Sequence, residues 1–315
     1  MDRYAMIVSM TEQTAPQLAL IGSTASGKSA LALETAARFG AIILSLDSLS
    51  IYRQIDIASA KPSPAERGEI PHFGIDLIRP DEPFDVLQFV DLYREARRES
   101  VKRKAPLIIV GGSSFYLKIL LEGISPLPPI DEEIRNKVNG LISDLPKAYT
   151  ILRDIDPEYA DTLAPSDRYR IEKALLISLS TGQGPSGYFR DHPPLPVIEE
   201  PLPMYEILTE REVLRKRIAQ RTDRMLSEGL VDEVLFLEST YGRRPSPMKA
   251  IGIREVLDYL DGMYDYAQMR EKIITHTARL AKRQRTFNQS QFNHVIRGDI
   301  EELRKKIAVP LDYRR

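Results

Sequence analysis

Residues 18–40 read LALIGSTASGKSALALETAARFG, and their reading decides the fold. LALI (18–21) is a short apolar run of strand length, and SALALETAARFG (29–40) has helical spacing with Gly40 as its stop. Between them, GSTASGKS fits G-x-x-x-x-G-K-[ST] at Gly22, Gly27, Lys28 and Ser29. A strand, that loop and a helix in succession are the context in which the pattern denotes a phosphate-binding loop, as in nucleotide-binding proteins. The expected polyphosphate site is therefore Gly22, Ser23, Thr24, Ala25, Ser26, Gly27, Lys28 and Ser29. Backbone amides and the helix N-terminus face the anion, Lys28 adds a point charge, and the Ser29 hydroxyl suits a Mg²⁺ ligand.

Working outward, AIILSLDS (41–48) is a buried strand ending at Asp47 and Ser48, and PLIIVGG (106–112) is another ending at Gly111 and Gly112. Between them FDVLQFVDLYREARRESVKRK (84–104) is an amphipathic helix with a basic last turn. Strands alternating with helices imply an α/β protein with a parallel sheet and its ligands at the carboxyl ends of the strands. The phosphate loop, Asp47 and the Gly111-Gly112-Ser113 turn should converge there. A nucleotide hydrolase usually has a magnesium-holding acid at the end of a second strand, but PLIIVGG ends in glycine and serine. The acid lies earlier, at Asp47, where it suits a general base facing an acceptor; the bland alternative is a turn or helix-capping residue. The core thus reads as a group-transfer enzyme, a P-loop kinase-like parallel sheet. Prolines at SPLPP (125–129) and HPPLPVIEEPLP (192–203) bracket a helically patterned segment, giving a core of 1–124 and 204–315 around a helical insertion of 125–203 joined by rigid linkers.

The 315 residues, 43% hydrophobic and 28% charged, are those of an ordinary globular protein large enough to bury a substantial core. The absence of cysteine excludes disulfide frameworks, thiolate zinc sites and a cysteine nucleophile. Four scattered histidines indicate no histidine metal site. The N-terminal MDRYAMIVSM has no signal-peptide layout and no run reaches membrane-spanning length, so a cytoplasmic location is expected. Net charge is −1, yet between Arg270 and Arg297 seven Lys/Arg face one acid, Glu271. That stretch is either a local polyanion site or a solvated helix face.

Eight blocks, in order, give a specific resemblance: GSTASGKSALA, ILSLDSLSIYRQIDIASAKPS, IPHFGIDL, LIIVGGSSFYLKILLEGI, DRYRIEKALLISLSTG, LRKRIAQRTDRMLSEGLVDEV, KAIGIREVLDYL and TARLAKRQRTF. The chain resembles bacterial tRNA dimethylallyltransferases from about Leu18 to Phe287. The resemblance implies that the loop holds dimethylallyl diphosphate rather than ATP. The acceptor it implies is the exocyclic amine of the adenosine 3′ of a tRNA anticodon. Asp47 would be the base, with Lys28, Ser113 and Arg217 also in the catalytic set, and Arg217 and Arg221 would close over the diphosphate. Asp47, Ser48, Leu49, Ser50, Ser113, Arg135, Arg170, Lys173, Lys282, Arg283, Gln284, Arg285 and Phe287 fall where the family contacts the tRNA anticodon stem-loop. Flipping of the target base and stacking on aromatics would accompany that contact. The chain departs at Ser50 for a common glutamine, ASAKP for GTAKP, Phe73 for a histidine, Ala278 for an arginine and Phe287 for a tryptophan. Without the resemblance, Arg135 would read as solvated, Arg217 and Arg221 as surface ion-pair formers, His72 as packed or capping, and Phe115 and Tyr116 as core. A monomer without membrane attachment is expected. The rival readings are an adenylate prenyltransferase, an ATP-dependent small-molecule kinase and a non-catalytic RNA-binding protein.

Overall fold

The computed structural model describes residues 15–311; MDRYAMIVSM and residues 312–315 lie outside them. Two compact units emerge, 1–118 with 200–315, and 119–199.

In the first unit the chain runs β1 (Gln17–Gly22), α1 (Lys28–Phe39), β2 (Ile42–Ser45), α2 (Pro64–Arg67), β3 (His72–Phe73), α3 (Val86–Arg103) and β4 (Leu107–Gly111), and α4 (Ser114–Glu122) begins in it and passes into the second unit at Ile119. The second unit holds α5 (Glu132–Ile142), α6 (Leu145–Ile155), α7 (Pro157–Ala160), α8 (Arg168–Thr181) and α9 (Pro185–Asp191). The chain then returns through β5 (Met204–Ile207), α10 (Arg211–Ser227), α11 (Leu230–Tyr241) and a 3₁₀ turn (Ser246–Lys249). It ends with α12 (Ile253–Leu260), α13 (Tyr266–Gln291), β6 (Ile296–Gly298) and α14 (Ile300–Leu311).

The six strands form one sheet in the order β3-β2-β4-β1-β5-β6, parallel throughout. β1, β2 and β4 are buried along their whole length, as parallel strands covered on both faces must be. Leu18 and Leu20 of β1, Leu31 of α1 and Ile43 of β2 pack in one core with Ile108 of β4 and Leu303 and Ile307 of α14. At roughly 1.5–3 kcal/mol for each fully buried large aliphatic side chain, this layer holds the strand ends in register. A second core packs Ile51, Ile55 and Ala58 against Met225, Leu230, Val234, Ile253, Val256 and Met269. It fastens the segment that follows Asp47 onto α10–α13.

In the second unit Val138, Ile142, Leu152, Ile171, Leu175 and Leu176 form a separate core. The proline-rich flanks expected to be linkers are tied to helices of this unit, 125–129 to α9 and 197–198 to the end of α4. The Leu120 carbonyl accepts from the Val197 and Ile198 amides at 3.0 and 2.8 Å, and Tyr188 Oη donates to the Pro126 carbonyl.

Three local features differ from the sequence reading. β2 stops at Ser45, so Asp47 stands two residues past the strand rather than on it. Strands β3 and β6 have two and three residues, too short for a period to register. Of the pair expected in the core, Tyr116 stacks on Phe89 with ring centroids 4.3 Å apart, whereas Phe115 is 52% exposed.

Candidate active site

The phosphate loop is built by conformation before any ligand arrives. Gly27 has φ +98°, a region closed to most side chains, and a Cβ there would stand 2.8 Å from Ile300 Cδ1. It forms the N-cap of α1 without a side-chain cap, which leaves the first-turn amides to an anion. Ala25 also has positive φ, +61°, a costly choice for a residue with a Cβ. The Ser26 hydroxyl is buried within this loop with no hydrogen-bond partner among the described residues. Lys28 is buried, with Nζ donating to the Ser23 carbonyl at 3.2 Å. Burial lowers its pKa to about 8, the Asp47 carboxylate opposes the shift and the Arg221 guanidinium reinforces it. Ser29 is exposed at the start of α1.

Two helices clasp this loop. From α10, Arg217 Nη1 donates to the Ser26 carbonyl at 3.1 Å, and Arg221 Nη1 donates to Thr24 Oγ1 at 3.3 Å. Arg221 also donates to the Ser59 carbonyl at 3.4 Å, and burial lowers its pKa against the pull of Asp47. From α13, the Ala281 carbonyl accepts from Ser23 Oγ at 3.1 Å, and Gln284 Oε1 accepts from the Thr24 amide at 2.8 Å. The surface ion-pair reading of the two arginines therefore fails, because both point inward onto loop oxygens.

Asp47 and Ser113 meet at the neighbouring strand ends. The Leu46 amide donates to the Val110 carbonyl at 2.7 Å, and the Ser113 amide donates to the Leu46 carbonyl at 3.1 Å. A Cβ on Gly111 would stand 2.5 Å from Leu46 Cβ, so only glycine allows the ends of β2 and β4 to approach this closely. Ser113 Oγ accepts from the Ser48 amide at 3.3 Å and donates to Ser48 Oγ at 3.4 Å. Asp47 Oδ1 accepts from the Leu49 and Ser50 amides at 2.8 and 3.3 Å. Asp47 is thus a turn residue after all, but only through one oxygen; Oδ2 has no protein partner among the described residues. The half-buried carboxylate thus gives one oxygen to the turn and leaves the other open. Ser50, expected at the tRNA, is only 4% exposed, and Leu49 packs onto the second core, leaving Ser48 as the open member of that turn.

The order of these parts around a parallel sheet matches known proteins. The IPP transferase family model matches residues 50–291, and an isopentenyl transferase model matches residues 16–73. Over 289 residues the chain is 54% identical to the tRNA dimethylallyltransferase of Sulfurovum sp. (strain NBC37-1), covering 92% of this chain and 96% of that one. The chain belongs to the tRNA dimethylallyltransferase family. The crystal structure of the tRNA isopentenylpyrophosphate transferase from Bacillus halodurans superposes with a TM-score of 0.69 at 29% identity, covering 95% of this chain and 97% of that one. A eukaryotic dimethylallyltransferase acting on tRNA shares the fold, with a TM-score of 0.81 at 23% identity over 95% of this chain and 79% of that one.

For a tRNA dimethylallyltransferase, the basic side chains expected at tRNA divide between places. On α13, Lys282, Arg283 and Arg285 are exposed and form no ion pair among the described residues. Arg279, Lys282, Arg283, Thr286, Phe287 and Ser290 line a shallow hollow of about 580 Å³ along that helix. Arg279, counted in the basic stretch but not placed with the tRNA contacts from sequence, joins them; its place three residues before Lys282 is the signal. Gln284, expected with the tRNA contacts, turns the other way, onto the loop. Ala278, expected as a departure from an arginine, packs against the cluster of Ile218, Ile274 and Ala281. In the second unit Arg135 is exposed, Arg170 pairs with Asp167 at 3.6 Å, and Lys173 Nζ lies 5.6 Å above the Tyr169 ring. Tyr169, 70% exposed beside two cations, went unremarked in the sequence although DRYR states it. His72 hydrogen-bonds the Ile70 carbonyl through Nδ1, and burial lowers its pKa.

Proposed function

We infer that this chain transfers the dimethylallyl group of dimethylallyl diphosphate to the exocyclic amine of the adenosine 3′ of the anticodon in tRNA, releasing diphosphate. The observation that carries the chemistry is the meeting of a cationic phosphate loop with one free carboxylate oxygen, at Asp47 beside Ser113. Lys28, Arg217, Arg221 and the first-turn amides of α1 would bind the diphosphate and stabilise its charge as the allylic C–O bond breaks and the electron pair leaves with oxygen. The adenine amine then forms the C–N bond, and its proton passes to Asp47 Oδ2. Ser48 and Ser113 would orient the base. The exposed cations of α13, with Arg135, Arg170 and Lys173, would hold the phosphates of the anticodon stem-loop.

Magnesium fits the donor set. The described residues offer no cluster of three or more carboxylates or imidazoles, but Mg²⁺ is commonly held by one or two protein oxygens completed by substrate phosphate oxygens. Ser29 would be the protein ligand. Bound there, the ion would offset the charge growing on the leaving diphosphate. No helix of the described residues is long and apolar enough to cross a membrane, and we place the enzyme as a monomer in the cytoplasm with its tRNA. The test is incubation with labelled dimethylallyl diphosphate and either bulk tRNA or AMP. Label in tRNA supports the reading; label in AMP, or in neither, overturns it.

A further inference from the structure

α13 carries Lys282, Arg283 and Arg285 outward and turns Ala281 and Gln284 toward the phosphate loop. The inward pair, Ala281 and Gln284, is spaced i, i+3 and touches consecutive residues of the phosphate loop, Ser23 and Thr24. Gln284 reaches further. A Cβ placed on Gly112 would stand 2.5 Å from Gln284 Nε2, 3.3 Å from Cδ and 3.6 Å from Oε1, the three nearest atoms to it. The amide of Gln284 therefore fills the space that the missing side chain of Gly112 leaves, one residue before Ser113. The Thr24 bond fixes the orientation of the amide, since only its oxygen can accept from a backbone N–H. Nε2 keeps no protein acceptor among the described residues.

We propose that Gln284 is a positioning residue that ties the donor loop to the acceptor turn, holding Thr24 through its oxygen while its amide packs in the hollow over Gly112. This rests on the function proposed above, because donor and acceptor are named there. The β1–β4 pairing already aligns Ile21 with Gly111, and this side chain then couples the two loops beyond those strand ends. A side chain at 112 would displace the Gln284 amide rather than strain the backbone, because the φ of Gly112 lies outside the left-handed region. A misplacement on the order of 1 Å between reacting groups can cost about a hundredfold in rate, so a spacer here matters more than the single hydrogen bond it makes.

The test is a double-mutant cycle of Gln284→Ala and Gly112→Ala, with three readouts: calorimetric titration with inorganic diphosphate in the absence of tRNA, single-turnover rate with saturating tRNA, and melting temperature. Gln284→Ala should weaken diphosphate binding about two- to tenfold, the worth of one hydrogen bond. It should slow single turnover by about ten- to a hundredfold. Gly112→Ala should do the same by pushing the amide aside, and should be nearly silent once Gln284 is already alanine. Gln284→Met keeps the length and the packing but offers only a weakly accepting sulfur in place of the amide oxygen, so it should approach Gln284→Ala in diphosphate binding even if the smaller variant folds poorly. Multiplying effects in the double variant overturn the proposal, as do unchanged diphosphate affinity and rate in Gln284→Met. If the wild type binds diphosphate but labels no tRNA, the functional reading fails while the titration still reports the loop.

Discussion

Asp47→Asn separates the two roles that the structure gives one side chain. Asparagine keeps an oxygen where Oδ1 stands, so the Leu49 and Ser50 amides at 2.8 and 3.3 Å retain their acceptor. Exchanging charged for neutral acceptors there costs on the order of 1 kcal/mol or less, a fall of roughly 2–4 °C in melting temperature at most. What asparagine cannot do is take the proton of the adenine amine. General-base assistance is worth about 10²–10⁴ in rate, or roughly 2.7–5.5 kcal/mol at 1.36 per tenfold, well above the stability effect. A second consequence follows from Lys28. Burial holds its pKa near 8 while the Asp47 carboxylate pushes it upward; without that carboxylate the ammonium loses its proton at lower pH. Diphosphate affinity in the variant should equal or exceed wild type at pH 6.5, where Lys28 is charged and one repelling anion is gone. Its decline as pH rises should begin earlier than in the wild type. Single-turnover rates with saturating tRNA and calorimetry between pH 6.5 and 8.5 measure both. Less than a tenfold loss of rate with an unchanged melting temperature would show that Asp47 is not the base, and an unmoved pH profile would refute its coupling to Lys28.

Wild-type binding of diphosphate above about pH 8 should take up a proton, because the free protein then holds neutral Lys28 and the anion recharges it; calorimetry in two buffers of different ionisation enthalpy reads the uptake, which must vanish in Lys28→Ala. The same depressed pKa makes charged Lys28 a cost to folding that is present in full below pH 8 and is relieved as pH rises towards the ordinary lysine value of 10.5. Denaturation midpoints of wild type minus Lys28→Ala should therefore rise across that window, and a flat difference contradicts the burial argument. Replacing Lys282, Arg283 and Arg285 together should weaken tRNA binding and flatten its log–log salt dependence by ~0.7–0.9 per lost phosphate contact, leaving diphosphate affinity and melting temperature alone. Unchanged slopes would mean a merely solvated face and would move the tRNA site elsewhere.

The strand-end site was legible because each of its parts is announced locally. The glycine–lysine loop stands between an apolar run and a helical period, and Asp47 and Ser113 each close a buried run. A parallel sheet then brings such ends together whatever lies between them. The clasp on the loop was legible only through the resemblance, which put Arg217 and Arg221 at the diphosphate and Gln284 at the tRNA instead, and for the opposite reason. Arg217 and Gln284 lie 191 and 260 positions from the loop residues they bond, and nothing local to either says which surface it will meet. The basic stretch shows the limit of a charge count. Lys282, Arg283 and Arg285 dominate it, while the residues that fix the helix in place, Ala281, Gln284 and Asn288, are neutral and stand three and four apart on the inner face.

Those neutral residues also explain a carboxylate that composition cannot. Glu206 sits on β5 with 1% exposure, a position where a lone charge would be costly. Its Oε1 accepts from Asn288 Nδ2 at 2.9 Å and its Oε2 from Arg297 Nε at 2.8 Å. The first bond pins α13 one turn beyond Gln284, and the second pins β6, which pairs with β5 beside it. β5 in turn pairs with β1 through Ile207 and Gly22, the residue that opens the phosphate loop. The loop is therefore referenced twice to the same strand pair, once along the backbone from β1 and once through Glu206, Asn288 and Gln284. A buried charge-assisted contact is a poor source of stability but a strict source of register. Register is what this helix needs, since a shift of one residue would rotate Gln284 about 100° off the loop and carry the outward cations with it.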